Sequence, residues 1–500
     1  MGVGVELPRT PAVFEAKIKW TLGDFDGEPE TGRENYQSVS GFEGQVEELF
    51  KEEAALGWME EIYDHDTKRI FKDRLHVASL AVVAEKKKIR VVHDASNGVG
   101  VNHRIKVLDQ VRYPGAGELK QVLEERRLKG QRGFAILADA PKAHRRVKVH
   151  PADWGLQACR LRPGTIWVNK VGTYGVGSAG YWWSRLAGAF HRLGFYLLDP
   201  AGFVESLLFA DDWMIVGSSR SEMEEVGVLI LVMVLFGYPF NFTKFRGGDV
   251  VQWIGYEVNF TEHAVGISAS RAAWLRDWVA KVLAEGRVEI KDLIAVLGRF
   301  CFAMGPLEFL RPFLAPIFAW SAAIKHSGKL VVPWSVSFLL RFLADELGGA
   351  GRMHLITLPG ADLGEAFRSD AKAEGSTVVV GGWECRGGRR PRDARWFSVT
   401  LTRSTAPWAF ARGEPYRTIA ALELFGTLLS ILAFAGDWPE AAKGRIRLSG
   451  ATDNLGNTWV LNRMMSTKFP MLVILGELAV QLRALNTDLS LEWAPRLQNE

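Results

Sequence analysis

Cysteine is scarce. Cys159, Cys301 and Cys385 are the three in 500 residues, and no two form a CxxC pair. That spacing excludes a disulfide scaffold and a zinc ribbon, and it suits a reducing, intracellular setting such as cytoplasm or nucleus. Long uncharged apolar runs are missing too. None reaches the roughly 18 residues needed to span a bilayer, so no membrane segment is expected. The run Val226–Phe236 is shorter and reads as a buried helix. The opening MGVGVELPRT lacks the charged-then-apolar layout of a secretory signal. Internal repeats and low-complexity tracts are likewise missing.

What is there is an ordinary globular composition, 48% hydrophobic and 24% charged, in a chain long enough for about two to four structural units. The net charge of +4 hides an asymmetry. Residues 1–66 carry 16 acids against 5 bases, whereas residues 86–148 carry 16 bases against 6 acids. A local excess of positive charge is a phosphate-binding surface or a solvated basic face.

Residues 1–40 are acidic, Gly/Pro-spotted and read as extended or partly disordered. From Phe42 to Leu56 the apolar spacing predicts an amphipathic helix. Residues 77–94 predict two β-branched-rich strands joined by a basic turn. A helix is expected over 115–130. The strand FAILAD (134–139) ends on a carboxylate, a glycine-opened helix covers 177–194, and 207–217 form a hairpin. A helix from Arg220 to Gly237 precedes two short strands, NFTKF and QWIGYEV. Ser270 is expected to cap a helix that stops near Gly286, and a second helix repeats the pattern from Ile290. A Gly-rich boundary at Gly348–Arg352 leads into strands, a helix at 419–435, a strand ending ATDN, and a further helix.

The sharpest chemical signal is Phe209-Ala210-Asp211-Asp212 between two apolar runs. Adjacent Asp side chains at a hairpin tip repel unless a cation neutralises them. Hard divalent cations take such oxygen ligands, and two-metal sites hold the ions roughly 3.5–4 Å apart. A further acid must come from a neighbouring strand, and Asp139 at the end of FAILAD is the candidate. Taken alone, Asp-Asp fits a plain turn as well. Its context is a glycine-rich helix start, TYGVGSAG (173–180), then Lys244, then WIGY (253–256).

That order resembles the palm of reverse transcriptases. LADAPKAH is similar to the first palm motif, TYGVGSAGYWWSR to the second, FADD to the third, the segment ending at Lys244 to the fourth, and Gln-Trp-Ile-Gly-Tyr to the fifth. KKKIRVVHDASNGVGVN (86–102) resembles the fingers segment. The resemblance covers roughly residues 42–345. It implies that Asp139, Asp211 and Asp212 hold Mg²⁺ or Mn²⁺, two ions per active site, and that Lys244 lies near the leaving pyrophosphate. Arg90 with Lys88, Lys86 or Lys87 would grip the triphosphate, and His144, Tyr174 and Gly175 would line the nucleotide pocket. Trp253, Gly255 and Tyr256 would hold the primer. The implied partners are RNA and DNA template-primer and deoxynucleoside triphosphates. The chain departs from the pattern at His144, which stands where a bulky aromatic is usual, at Phe209 in place of tyrosine, at Lys142 where a second acid is common, and at Pro141.

Past residue 350, Asp370, Glu423 and Asp453 occur in an order that resembles ribonuclease H, and WAPRLQNE (493–500) resembles a segment near that domain's end. The implied chemistry is two-metal cleavage of RNA in an RNA–DNA hybrid. The family's fourth carboxylate would follow Glu500, so the resemblance implies a truncated domain. The segment 297–318 resembles the thumb of retrotransposons that encode a tyrosine recombinase. The expected fold is therefore α+β: an acidic segment over 1–40, fingers and palm of a right-hand polymerase over 41–265, a helical thumb or connector over 266–347, and an α/β ribonuclease H-like domain over 348–500. The expected function is RNA-directed DNA polymerase of a retrotransposon, and the alternative is a catalytically degenerate nucleic-acid-binding relic of one.

Overall fold

The computed structural model describes residues 33–84, 88–105, 111–198, 204–325, 328–358, 360–386, 391–438 and 445–495. The expectations for residues 1–32, for Lys86 and Lys87, and for 496–500 of WAPRLQNE lie outside the described residues. The chain separates into two compact units. The first comprises Met1–Pro114 and Phe134–Gly248, and the second Gly115–Gly133 and Asp249–Glu500.

The first unit is organised on a four-stranded antiparallel sheet. Its order is Arg246–Gly248, Phe134–Asp139, Asp212–Gly217, Glu205–Phe209. The two central strands are built from FAILAD and DWMIVG, whose apolar residues bury one face beneath the helices Gly177–Leu197 and Arg220–Leu235. Trp183, Ala187, Trp213, Ile215, Leu229 and Met233 fill the space between. Trp213 is fully buried, and its indole N–H donates to the Tyr238 hydroxyl at 2.7 Å, which satisfies both polar atoms. Truncating such a side chain to Ala costs about 3–5 kcal/mol. A second small sheet, with Met59–Tyr63 beside Thr165–Asn169, packs under the helix Glu43–Ala55 through Val46, Phe50 and Trp167. The hairpin Leu80–Ala84/Ile89–His93 borders it, as the 77–94 pattern predicted.

The second unit holds two larger sheets, a two-stranded ribbon of Arg287–Glu289 with Lys329–Val331, and the helical module. Val250–Trp253, Tyr256–Asn259, Ala264–Ile267 and Met353–Leu355 form one antiparallel sheet, with the helix Ala116–Leu128 against Ala264–Ile267. Helices Ala269–Glu285 and Ile290–Ala303 follow the expected apolar spacing, and Arg311–Ala323 and Trp334–Gly348 complete the module. The five-stranded sheet has strands Asp362–Glu374, Thr377–Glu384, Trp396–Leu401, Ile446–Thr452 and Thr487–Trp493 in spatial order third, second, first, fourth, fifth. The first three pair antiparallel, and the fourth joins the first in parallel, as a connection through the helix Ile419–Phe434 requires. That helix buries Leu424, Leu428 and Ile431 against the sheet.

Several local expectations need correction. NFTKF is not a strand: Phe242–Lys244 is a 3-10 turn, capped by the Asn241 side chain accepting from Thr243 N at 3.2 Å. QWIGYEV is not one strand but two, folded over at Ile254 (φ 43°) and Gly255 (φ 94°). Ser268, not Ser270, caps the helix Ala269–Glu285, its hydroxyl accepting from Arg271 N at 3.4 Å. The apolar run Val226–Phe236 is helical but only half buried, with Val228, Leu231, Leu235 and Phe236 exposed. One helical stretch, Pro415–Asp437, does have the length and mean hydropathy (1.9) to cross a bilayer, yet 61% of its apolar window is buried in the second unit.

Candidate functional site

The first unit places Asp139, Asp211 and Asp212 at one end of its four-stranded sheet through strand register. Asp139 is the last residue of Phe134–Asp139 and lies directly opposite Asp212, the first residue of Asp212–Gly217. Phe209 also pairs with Asp212, so Ala210 and Asp211 form a two-residue hairpin loop. Ala210 sits at φ 54°, a left-handed conformation unusual for a residue with a Cβ. Two bonds hold the loop: the Trp183 indole donates to Ala210 O at 3.0 Å, and Ala140 N donates to Asp211 O at 3.2 Å. Tyr113 lies over Phe209 with ring centroids 4.8 Å apart.

Burial and the Asp212 and Asp139 carboxylates raise the Asp211 carboxyl to about 6. Burial and Asp139 raise Asp212 as well. Both carboxylates are thus short of solvation and crowded by a neighbouring acid, a cost that a bound cation would offset. One cation answers part of it: Lys244 Nζ donates to Asp139 Oδ2 at 2.7 Å. Asn241 N donates to Asp139 O at 2.8 Å, and this ties the Lys244 turn to the acid-bearing strand. Clustered carboxylate oxygens of this kind are hard donors, the type that divalent cations take.

A cleft of about 590 Å³ opens in front of these acids, bordered by Lys88, Arg90, His144, Tyr174, Asp211 and Lys244. Lys88 and Arg90 reach it from the Ile89–His93 strand. His144 packs on Tyr174 with ring centroids 5.1 Å apart, and burial lowers its pKa, so the ring is neutral near pH 7. Tyr174 itself is raised by burial and by Asp211. Gly175 has a specific duty. Its φ is +101°, and a Cβ there would lie 1.9 Å from His93 O, so only glycine lets this loop meet the Ile89–His93 strand. His93 N in turn donates to Tyr174 O at 3.0 Å. Lys142, at φ 53°, turns its ammonium toward Glu53 at 3.3 Å.

The remaining candidates fall in the second unit. Trp253 and Tyr256 are buried, with Tyr256 stacked on Phe302 at 4.4 Å and 5°, so both rings are core members and only their turn faces outward. A Cβ on Gly255 would lie 2.4 Å from the Arg271 guanidinium. Asp370 lies on the first strand of the five-stranded sheet, Glu423 on Ile419–Phe434, and Asp453 directly after Ile446–Thr452. Their carboxylate oxygens all lie within 4.8 Å of one another. Asp453 Oδ1 is buried without a hydrogen bond, a donor left open for a cation. Among the described residues this trio is the acidic cluster that closes to that degree, and the Asp139–Asp211–Asp212 set does not.

Sequence reasoning missed Glu53 and Arg145. Arg145 is buried beside the cleft, paired with Glu53, and donates to Asn169 Oδ1 at 2.7 Å. The pair fixes the turn that carries His144. No local pattern joins positions 53 and 145, although Arg145 directly follows His144.

No family model matches the chain, and no curated protein matches it. Solved structures do. It is similar to a foamy viral protease-reverse transcriptase in complex with ds DNA, with TM-score 0.51 and 12% identity over 94% of this chain and 72% of that one. It is also similar to the foamy viral protease-reverse transcriptase in complex with RNA/DNA hybrid, with TM-score 0.51 and 13% identity over 94% of this chain and 56% of that one. At that identity the likeness speaks for the fold alone, which is α+β and similar to that of reverse transcriptases.

Proposed function

We propose that this chain is an RNA- and DNA-directed DNA polymerase of a retroelement, with a second, ribonuclease H-like site that cuts RNA in a hybrid. The observation that carries the reading is Asp139 placed opposite Asp212, with Asp211 at the adjoining loop, at the mouth of a cleft bordered by Lys88 and Arg90. Divalent cations, when bound by these acids, supply charge neutralisation and activation of the attacking oxygen. The chain's own residues position the reactants. Lys88 and Arg90 bind the triphosphate oxygens. Lys244, within reach of Asp139, carries positive charge to the pyrophosphate as it leaves. His144 and Tyr174 form the wall against which the sugar and base are placed. The template-primer is RNA or DNA, the class of ligand held by the two similar structures. The domain reading is 41–265 for fingers and palm, 266–347 for the thumb and 348–500 for the nuclease-like part, with two ions in each site.

A relic without catalysis is the second reading, favoured by Lys142, whose ammonium is engaged with Glu53 where an acid is common. Extension of oligo-dT on poly-rA with Mg²⁺ separates the two. The polymerase reading expects extension by the parent chain and a loss of at least ~10³-fold in Asp211→Asn. No extension by either chain leaves the relic.

A further inference from the structure

The helix Arg220–Leu235 carries two apolar stripes. One, through Val226, Leu229 and Met233, is buried in the first unit. The other, through Val228, Leu231 and Leu235, is 55%, 58% and 76% exposed, and its 3-4 spacing is that of a coiled-coil seam. Gly227 beside it leaves room for a close approach. Exposed aromatics continue the surface. Phe236 ends the helix, and Phe195 and Tyr196 lie at the end of Gly177–Leu197, next to Gly194, which packs against Leu229 and Met233. A helix apolar on all sides is normally covered on all sides.

We propose that this face is a twofold interface between two copies of the chain, with the Arg220–Leu235 helices paired antiparallel. Heptad spacing selects a helix as the partner, because each knob needs a hole of four side chains. An antiparallel pair with its axis between Leu231 and Val232 sets Val228 of one copy against Leu235 of the other. The exposed side chains Phe195, Tyr196, Leu197, Val228, Leu231, Leu235 and Phe236 present on the order of 700 Å², close to the roughly 800 Å² per partner of a standard interface. The surface suits its own image electrically: the exposed charges at the head of the stripe, Arg220 and Glu224, already pair with each other at 3.0 Å. A membrane is the poorer occupant, since the exposed flank carries Glu224 and no Lys, where bilayer-binding helices are rich in Lys and Arg.

The test is the oligomeric state of the full chain by sedimentation, for the parent and for Leu231→Glu, with thermal unfolding as a control for folding. The parent should be a dimer at micromolar concentration, and Leu231→Glu should weaken it at least ~100-fold while still unfolding in one cooperative transition, its midpoint lowered only toward that of the diluted parent. Under mild oxidant, Leu231→Cys in a Cys301→Ser, Cys385→Ser background should form a cross-linked dimer where that background alone forms none. A monomeric parent, or a dimer unchanged by Leu231→Glu and uncrosslinked by Leu231→Cys, overturns the proposal. So does a monomer that sediments with phosphatidylcholine vesicles through Leu231, which would assign the face to lipid.

Discussion

Gly175 and His93 share one tight contact, and each carries a prediction. Adding a methyl group at 175 places a Cβ 1.9 Å from His93 O at a φ of +101°, so Gly175→Ala should cost at least ~2 kcal/mol in urea unfolding and displace Tyr174 from the cleft. His93 is buried, and burial lowers its pKa from the usual 6.5 to about 4. Burial does the same to His354. The unfolded chain therefore takes up these protons near pH 6.5, while the native chain resists them until about 4. The stability these residues allow is full above pH 6.5 and falls steadily as the pH drops toward 4. Urea midpoints measured across that window should show the fall, and His93→Gln with His354→Gln should make it shallower. Lys244 stands at the other end of the cleft. Lys244→Met should lower the extension rate by ~10²-fold or more while leaving the unfolding midpoint nearly unchanged, since its ammonium is half exposed.

At the scale of elements, the hairpin that carries Asp211 depends on the helix behind it. The Trp183 indole donates to Ala210 O from within Gly177–Leu197. Trp183→Phe keeps most of the buried ring and loses that bond, so it should cost about 1 kcal/mol in stability and slow extension more than it weakens nucleotide binding. These elements differ in how well the sequence announces them. FAILAD and LLFADDWMIVG combine an apolar run with a terminal acid, and both strands appear where that pattern puts them. The register that sets Asp139 against Asp212 rather than Asp211 is not legible, because it depends on a two-residue loop with Ala210 in a left-handed conformation. NFTKF looks like a strand by composition, but Asn241 captures Thr243 N and turns it instead. The outer face of Arg220–Leu235 is hidden by its own composition, since an all-apolar run reads the same whether the tertiary fold covers it or a second surface does. Glu53 and Arg145 are 92 residues apart and meet only through folding.

For the whole molecule, the two acidic sites lie on separate sheets in separate units, and this separation predicts separable activities. Glu423→Gln should abolish cleavage of an RNA–DNA hybrid and leave primer extension within about twofold of the parent, as expected for sites without shared partners. Binding of the hybrid should weaken steeply with salt through release of counterions from the phosphates. The most direct measurement of the central claim is iron-directed cleavage of the full chain, with Fe²⁺ in place of Mg²⁺ and peroxide to generate hydroxyl radicals at the bound ion. The account predicts backbone cuts around residue 139 and around 211–212, lost in an Asp139→Asn, Asp211→Asn double variant and suppressed by excess Mg²⁺. Cuts confined to the neighbourhood of Asp370, Glu423 and Asp453, with none near 139 or 211–212, would contradict it.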